Sequence, residues 1–282
     1  MSDITPTLFR RRLGAALKTL RVRAGFNLAE GAKVLGVSSP TLSKIENGRQ
    51  NTDPEKFFIA YRVTDAARIA EAREIAKLVN DSRQKNIYAQ YKDVIPERLA
   101  DFLDMEQIAT RIDLYAALIM PGVLQTPDYA YAVIGGGSVW KTARELRALT
   151  ELRMKRQEIL TSPSLTLRCV LDEACLRREV GGASVLRGQL EHLLALSRDP
   201  KFELQVIPFK AGTHTGLDGA YTVFHFEVGS PVVAVEPLTT SHYLEEDGQV
   251  ARYDVAFDRL LAQALDPDAS RDFIARIAKE TR

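Results

Sequence analysis

The stretch LAEGAKVLGVSSPTLSKIENGR, residues 28–49, decides how the first part of the chain folds. Ala32 stands where two helices must touch, so a small side chain is needed there. Gly36 follows and allows a tight turn, because glycine enters left-handed backbone without steric cost. Val37, Leu42 and Ile45 then supply the inward face of a second helix, and the spacing fits two short helices crossing steeply through a turn. Ser38 is a natural N-cap, since its hydroxyl can accept a free backbone N–H of the first turn. With Leu42 and Ile45 inward, Ser39, Pro40, Ser43, Lys44 and Asn47 face outward. They are short or basic, as a helix entering the DNA major groove requires. A plain helical hairpin has the same core spacing; the outer-face chemistry and the closing IENGR favour the DNA-binding helix-turn-helix.

Working outward, residues 7–24 form a helix whose stripe is Phe9, Leu13, Leu17 and Leu20. Arg10, Arg11 and Arg12 precede or open it, within reach of phosphate. Gly25 ends it, Asn27 caps a helix over 28–35, Ser38 caps one over 39–47, and Asn47-Gly48 is a stop signal. Asp53-Pro54 starts a helix to about residue 63 that buries Phe57, Ile59 and Ala60. A more polar helix over 66–84 links this head to the rest of the chain.

The formal net charge of +1 conceals a split. Residues 7–50 hold nine basic residues against two acidic ones, leaving 29 basic against 35 acidic elsewhere. A basic segment on a mildly acidic body suits a DNA-binding head attached to a sensing or partner-binding domain; chance clustering on a solvated face is the plainer alternative.

At 282 residues the chain is long enough for two domains or three small ones. No apolar run approaches a membrane span, and MSDITPTLFRRR has no signal-peptide core, so the expected location is the cytoplasm. Cys169 and Cys175 lack a second pair, which argues against zinc. In the cytoplasm they read as reduced core residues, with redox sensing the alternative.

Beyond residue 85 the pattern becomes α+β. Helices are expected near 96–106, 127–134, 140–160, 184–198, 248–265 and 268–281. The last but one carries the stripe Val250, Tyr253, Phe257, Leu260 and Leu261. Strands are expected at 110–119, 165–173, 202–209, 220–227 and 232–238, with 242–246 extending the sheet. GGG at 135–137 reads as a turn, since it lacks the Lys and Ser/Thr of a phosphate-binding loop.

Catalysis and metal binding find little support. No HxH, HxxxH or GxSxG occurs, and neither cysteine has a histidine nearby. His225, in an alternating strand, reads as a sheet-face histidine with a hydrogen-bonding partner, and Asp172-Glu173 as a strand end capping a turn. No cofactor is expected. The polar, glycine-rich loop from Gly212 to Gly219 is a candidate ligand or partner site through His214 and Asp218, although its glycines need mean only turns. Tyr129 and Tyr131 could line a pocket or simply sit in the core.

The head resembles the Cro-type (xenobiotic-response-element) repressor domains of phage and bacterial regulators, over about residues 10–70. The resemblance implies a five-helix, dimeric DNA binder. It makes Ser39, Pro40, Ser43 and Lys44 the base readers and Asn27, Thr41, Asn47 and Arg49 the phosphate clamps. It also pairs Arg21 with Glu46 as a structural ion pair that reads no base. Pro40 departs from the polar residue usual there, which shifts specificity toward Ser43 and Lys44. In the body, PGVLQTPDYA, LDEACLRREVGG, QVIPFKAGTHTGLDGAYTVFHF and RYDVAFDRLLAQAL resemble the uncharacterised C-terminal domain that follows Cro-type heads in many actinobacterial regulators. Those regulators are linked to development, antibiotic production and stress. Many are encoded beside a small partner protein, in an arrangement like a toxin–antitoxin pair. Tyr115-Ala116-Ala117 departs from the bulkier or more polar residues expected there.

The expected architecture is an all-α helix-turn-helix domain at 7–70, a helical linker at 71–90 and an α+β domain at 91–282 with a mixed or mainly antiparallel sheet. The expected function is transcription regulation: a homodimer on a double-stranded DNA operator, controlled through its C-terminal domain, without membrane association. An antitoxin-like protein that binds a small partner is the alternative, and a small-molecule effector is a further possible ligand.

Overall fold

The computed structural model describes residues 7–85, 88–91, 95, 97–137, 142–237 and 241–281. They divide into two compact units. The first holds the described part of Met1–Asn86 together with Ala100–Ile108 and Glu227–Gly229; the second holds the rest.

In the first unit, α1 (Leu8–Arg23) buries the stripe Phe9, Leu13, Leu17 and Leu20. α2 (Leu28–Leu35) opens on a capping box in which the Asn27 side chain accepts the Glu30 N–H while the Glu30 carboxylate accepts the Asn27 N–H. Gly36 closes α2 at φ 69°, left-handed backbone that a β-carbon would strain. α3 (Ser39–Glu46) starts with the Ser38 hydroxyl accepting the Thr41 N–H at 3.2 Å. α4 (Glu55–Ala60) and α5 (Ala66–Lys85) complete the bundle.

One expectation changes here. α4 buries Phe57 and Phe58 and leaves Ile59 79% exposed, with Ala60 half-buried. Successive helical residues turn by about 100°, so Phe57 and Ile59 cannot share a face, whereas Phe57 and Tyr61 do. Their rings meet edge to face at 5.6 Å. The stretch expected as a linker is mostly α5, which packs on α1 and buries Ala72, Ile75, Ala76, Leu78, Val79 and Ser82. Residues 86 and 87 of that stretch lie outside the described residues. The next helix, α6 (Glu97–Ile108), contributes Ala100–Ile108 to this same unit.

The second unit is built on a six-stranded mixed sheet. β1 (Arg111–Ala116) leads through α7 (Pro127–Gly136) and α8 (Ala143–Arg156) to β2 (Thr166–Asp172). α9 (Glu173–Arg177) and α10 (Ala183–Leu196) lead on to β3 (Phe202–Ile207). β4 (Tyr221–His225), β5 (Val232–Val235) and β6 (His242–Leu244) follow, then α11 (Asp247–Gln263) and α12 (Pro267–Glu280). The strand order is β3-β2-β1-β4-β5-β6, with β1, β2 and β3 parallel and the remaining pairs antiparallel. The helical crossovers between β1, β2 and β3 are what parallel pairing demands, and direct returns serve the antiparallel half.

One face of the sheet, with Tyr115, Val170, Ile207, Tyr221, Val223 and Val233, packs against Val250, Phe257 and Leu260 of α11. Residues of the opposite parity, including Leu114, Cys169 and Val206, are buried too. Both faces are therefore covered, as central strands require. The GGG expected as a turn is different: Gly135 and Gly136 end α7 and Gly137 caps it. Beyond Gly137, residues 138–141 lie outside the described residues, among them 140 and 141 of the expected 140–160 helix, and α8 passes into a 3₁₀ turn at Gln157–Thr161. Among the described residues no helix is long and apolar enough to cross a membrane.

Candidate nucleic-acid interface

α3 is seated by its buried side. Leu42 and Ile45 enter the core of the first unit, and α1 crosses the end of α3 at Gly14. A β-carbon on Gly14 would lie 2.5 Å from the Glu46 carbonyl oxygen, so only glycine allows this approach. Gly48, at φ +70°, lies equally close to α1: a β-carbon there would stand 2.8 Å from the Arg10 carbonyl carbon. The recognition helix is thus held at its end by two glycine contacts with α1.

Arg21 and Glu46 complete the seat. The Arg21 Nε donates to Glu46 Oε1 at 2.6 Å, and Nη2 to Oε2 at 3.0 Å. Nη1 donates to the Phe26 carbonyl at 2.8 Å. Both side chains are buried, 8% and 5% exposed. Hydrogen bonding to Glu46 holds the guanidinium pKa above its ordinary value against the cost of burial. One arginine fork therefore ties α1, the α1–α2 turn and α3 together, and neither group is left to face a ligand.

The outer side of α3 is different. Pro40, Lys44 and Asn47 are exposed, and Ser39, Thr41 and Ser43 are half-buried. Some of these side chains are already engaged. The Thr41 and Ser38 hydroxyls lie 2.9 Å apart. The Asn47 amide donates to the Ser43 carbonyl at 2.7 Å, turning its NH₂ back along the helix. Asn27 commits its oxygen to the capping box, which leaves its side-chain NH₂ for a phosphate. Arg49 is exposed beyond the helix end, its N–H donating to the Lys44 carbonyl at 2.8 Å.

The candidate residues of the second unit are not gathered. His214 is buried: its Nδ1 accepts the Gly216 N–H at 3.2 Å, its ring stands edge-on to Tyr115, and Nε2 is 3.7 Å from Asp172 Oδ2. Asp218 is exposed on the loop. Tyr129 is wholly buried, with its hydroxyl accepting the Met120 N–H at 3.3 Å. It is the third residue of α7, where Ala130 and Ile134 are buried with it, and it belongs to the core.

Asp113, His225 and Asp254 offer ligand atoms within 4.8 Å of one another. Asp113 already receives the Arg168 fork, 2.6 Å at each oxygen, and His225 Nε2 at 2.9 Å. Burial pushes the Asp113 carboxyl up, but these hydrogen bonds outweigh it and hold it below the ordinary carboxylate range. A cation would have to enter beside the Arg111 and Arg168 guanidiniums, so the group is better described as an ion network that joins β1, β2 and β4. Burial raises the Cys175 thiol to about 12 and drives the Cys169 thiol up as well, so both remain protonated and poorly reactive near neutrality.

One residue that the sequence did not single out is Asp101 on α6. Its carboxylate accepts the Leu8 N–H at 2.7 Å and the Arg11 guanidinium at 2.6 Å. The signal for it is an omission: the first turn of α1 has arginine and no acidic residue.

The comparisons with known proteins agree with this division of labour. Residues 12–74 match the model of a helix-turn-helix domain, and residues 99–276 match that of a domain of unknown function (DUF5753). No curated protein and no solved structure matches the chain. With that match covering more than half its length, the chain belongs to the DUF5753 family, as a member that carries an N-terminal helix-turn-helix domain for DNA binding.

Proposed function

We propose that this protein is a sequence-specific transcription regulator of Cro type that binds its operator as a homodimer. The observation that carries the reading is the division of α3. Leu42, Ile45 and Glu46 are buried, and the opposite side presents Pro40 and Lys44 to solvent, with Ser39 and Ser43 beside them. In this reading Ser39, Pro40, Ser43 and Lys44 meet base edges, and Arg49, Thr41 and Asn27 approach phosphates. Asn47 serves better as a C-terminal lock on α3 than as a clamp, because its amide already donates to Ser43. The second unit then controls the head by binding an effector or partner in the cytoplasm, without catalysis. Its thiols are buried and protonated, and His225 is committed to Asp113.

Hydroxyl-radical footprinting of the full chain on its own upstream DNA tests this. A homodimer of two such heads protects two half-sites about 10 base pairs, or a multiple of one turn, apart. A single protected half-site overturns the homodimer, and no protection overturns the operator.

The second reading is an antitoxin-like protein that neutralises a small partner. Leu118, Ile119, Phe209 and Leu217 favour it: these large apolar side chains are exposed in the segments that follow β1 and β3. Co-expression with the product of an adjacent small gene gives a stoichiometric complex if this reading holds and separate species if it does not.

A further inference from the structure

α1 begins against electrostatic preference. The N-terminal end of a helix carries partial positive charge and favours anions. Here Arg10, Arg11 and Arg12 follow Leu8 and Phe9 directly, no acidic residue lies in the first turn, and Thr7 makes no side-chain cap. The missing acceptors come from α6, about 90 residues away in sequence. Asp101 Oδ1 accepts the Leu8 N–H at 2.7 Å, and Oδ2 accepts the Arg11 guanidinium at 2.6 Å. Asp104, one turn further along α6, takes hydrogen bonds from the Thr7 and Ser82 hydroxyls and lies near Arg10; burial nevertheless holds its carboxyl above the ordinary range.

A helix N–H and an arginine guanidinium N–H converging on one anion form a donor set that suits phosphate. This donor set lies beside the recognition helix. Gly48, two residues past the end of α3, touches the Arg10–Arg11 backbone. The Arg11 side chain stays 43% exposed while paired, whereas Asp101 is largely covered.

We propose that α6 is an acidic latch on the DNA-binding head, with Asp101 filling the place of a DNA phosphate between the Leu8 N–H and Arg11. Freeing Arg11 adds one phosphate contact and tightens DNA binding. The inference rests on the DNA-binding reading of the head and extends it to regulation. α6 runs into β1 through only Ala109 and Thr110, so the latch is carried by the segment that opens the sheet.

The test uses the full chain and a fluorescein-labelled random-sequence duplex, because phosphate contacts are independent of sequence. Anisotropy gives the slope of log binding constant against log salt for the unaltered protein, Asp101→Asn, Arg11→Gln and the double variant. Asparagine keeps an oxygen for the Leu8 N–H and removes the charge that holds Arg11. The latch predicts that Asp101→Asn steepens the slope by about 0.9, the value for one phosphate. Arg11→Gln alone leaves it unchanged, and the double variant returns to the original slope. An unchanged slope in Asp101→Asn overturns the latch. So does a shallower slope in Arg11→Gln, which remains informative if the first variant fails to fold. Salt-independent or absent binding in the unaltered protein removes the DNA-binding reading, and the latch with it.

Discussion

Two charged side chains of the head, Arg21 and Lys44, lead opposite lives. Arg21 is buried and gives three donors to Glu46 and Phe26. Arg21→Ala leaves the Glu46 carboxylate buried without its partner, which costs about 3–5 kcal/mol in comparable buried pairs. We expect a clearly lower melting temperature for the head by circular dichroism; an unshifted melt contradicts the structural role. Lys44 is exposed, so Lys44→Ala should melt normally. If Lys44 reads a base, the preference for operator over random DNA should fall by roughly 1–3 kcal/mol. An unchanged preference removes it from the reading set. Residues of the first kind were legible only through resemblance, because the Arg21–Glu46 pair spans 25 positions and no local pattern announces it. Tyr129 shows the converse limit: an aromatic at helical spacing is compatible with a pocket wall and with a core, and only its full burial against Met120 speaks for the core.

Among the elements, α2 and α3 were readable to within a residue because each carries its own start and stop signals: Asn27 and Gly36 for one, Ser38 and Asn47-Gly48 for the other. α4 has six residues, too few for periodicity to fix its inward face, which is why Ile59 was placed wrongly. The six strands were readable from alternation and turn residues, but their order was not, since pairing is a long-range choice. Helix crossings follow the same rule. Nothing local in Gly14 marks it as the point where α1 meets α3. Gly14→Ala pushes a methyl group against the Glu46 carbonyl, and overpacking of this kind typically costs about 1–3 kcal/mol. A lower melting temperature together with weaker DNA binding is the expected result, because the end of α3 must move. A variant that melts and binds normally contradicts the close crossing.

Across the whole molecule, the charge split gives the division of labour before any fold is known: nine basic residues against two acidic ones in residues 7–50, and an acidic remainder. The structure refines that division, because Ala100–Ile108 of α6, within the segment matched by DUF5753, belong to the compact unit that contains α1–α5. Its acidic residues Asp101 and Asp104 meet the arginine-rich start of α1. A basic head of this kind should bind DNA through phosphates first and bases second, so affinity and preference must be separated. The most direct measurement is anisotropy of the full chain on its own upstream DNA and on a random duplex, each at low and moderate salt. We expect tighter binding to the upstream DNA, with both affinities falling steeply as salt rises while the preference persists. Equal affinity for the two duplexes, or binding indifferent to salt, would contradict it.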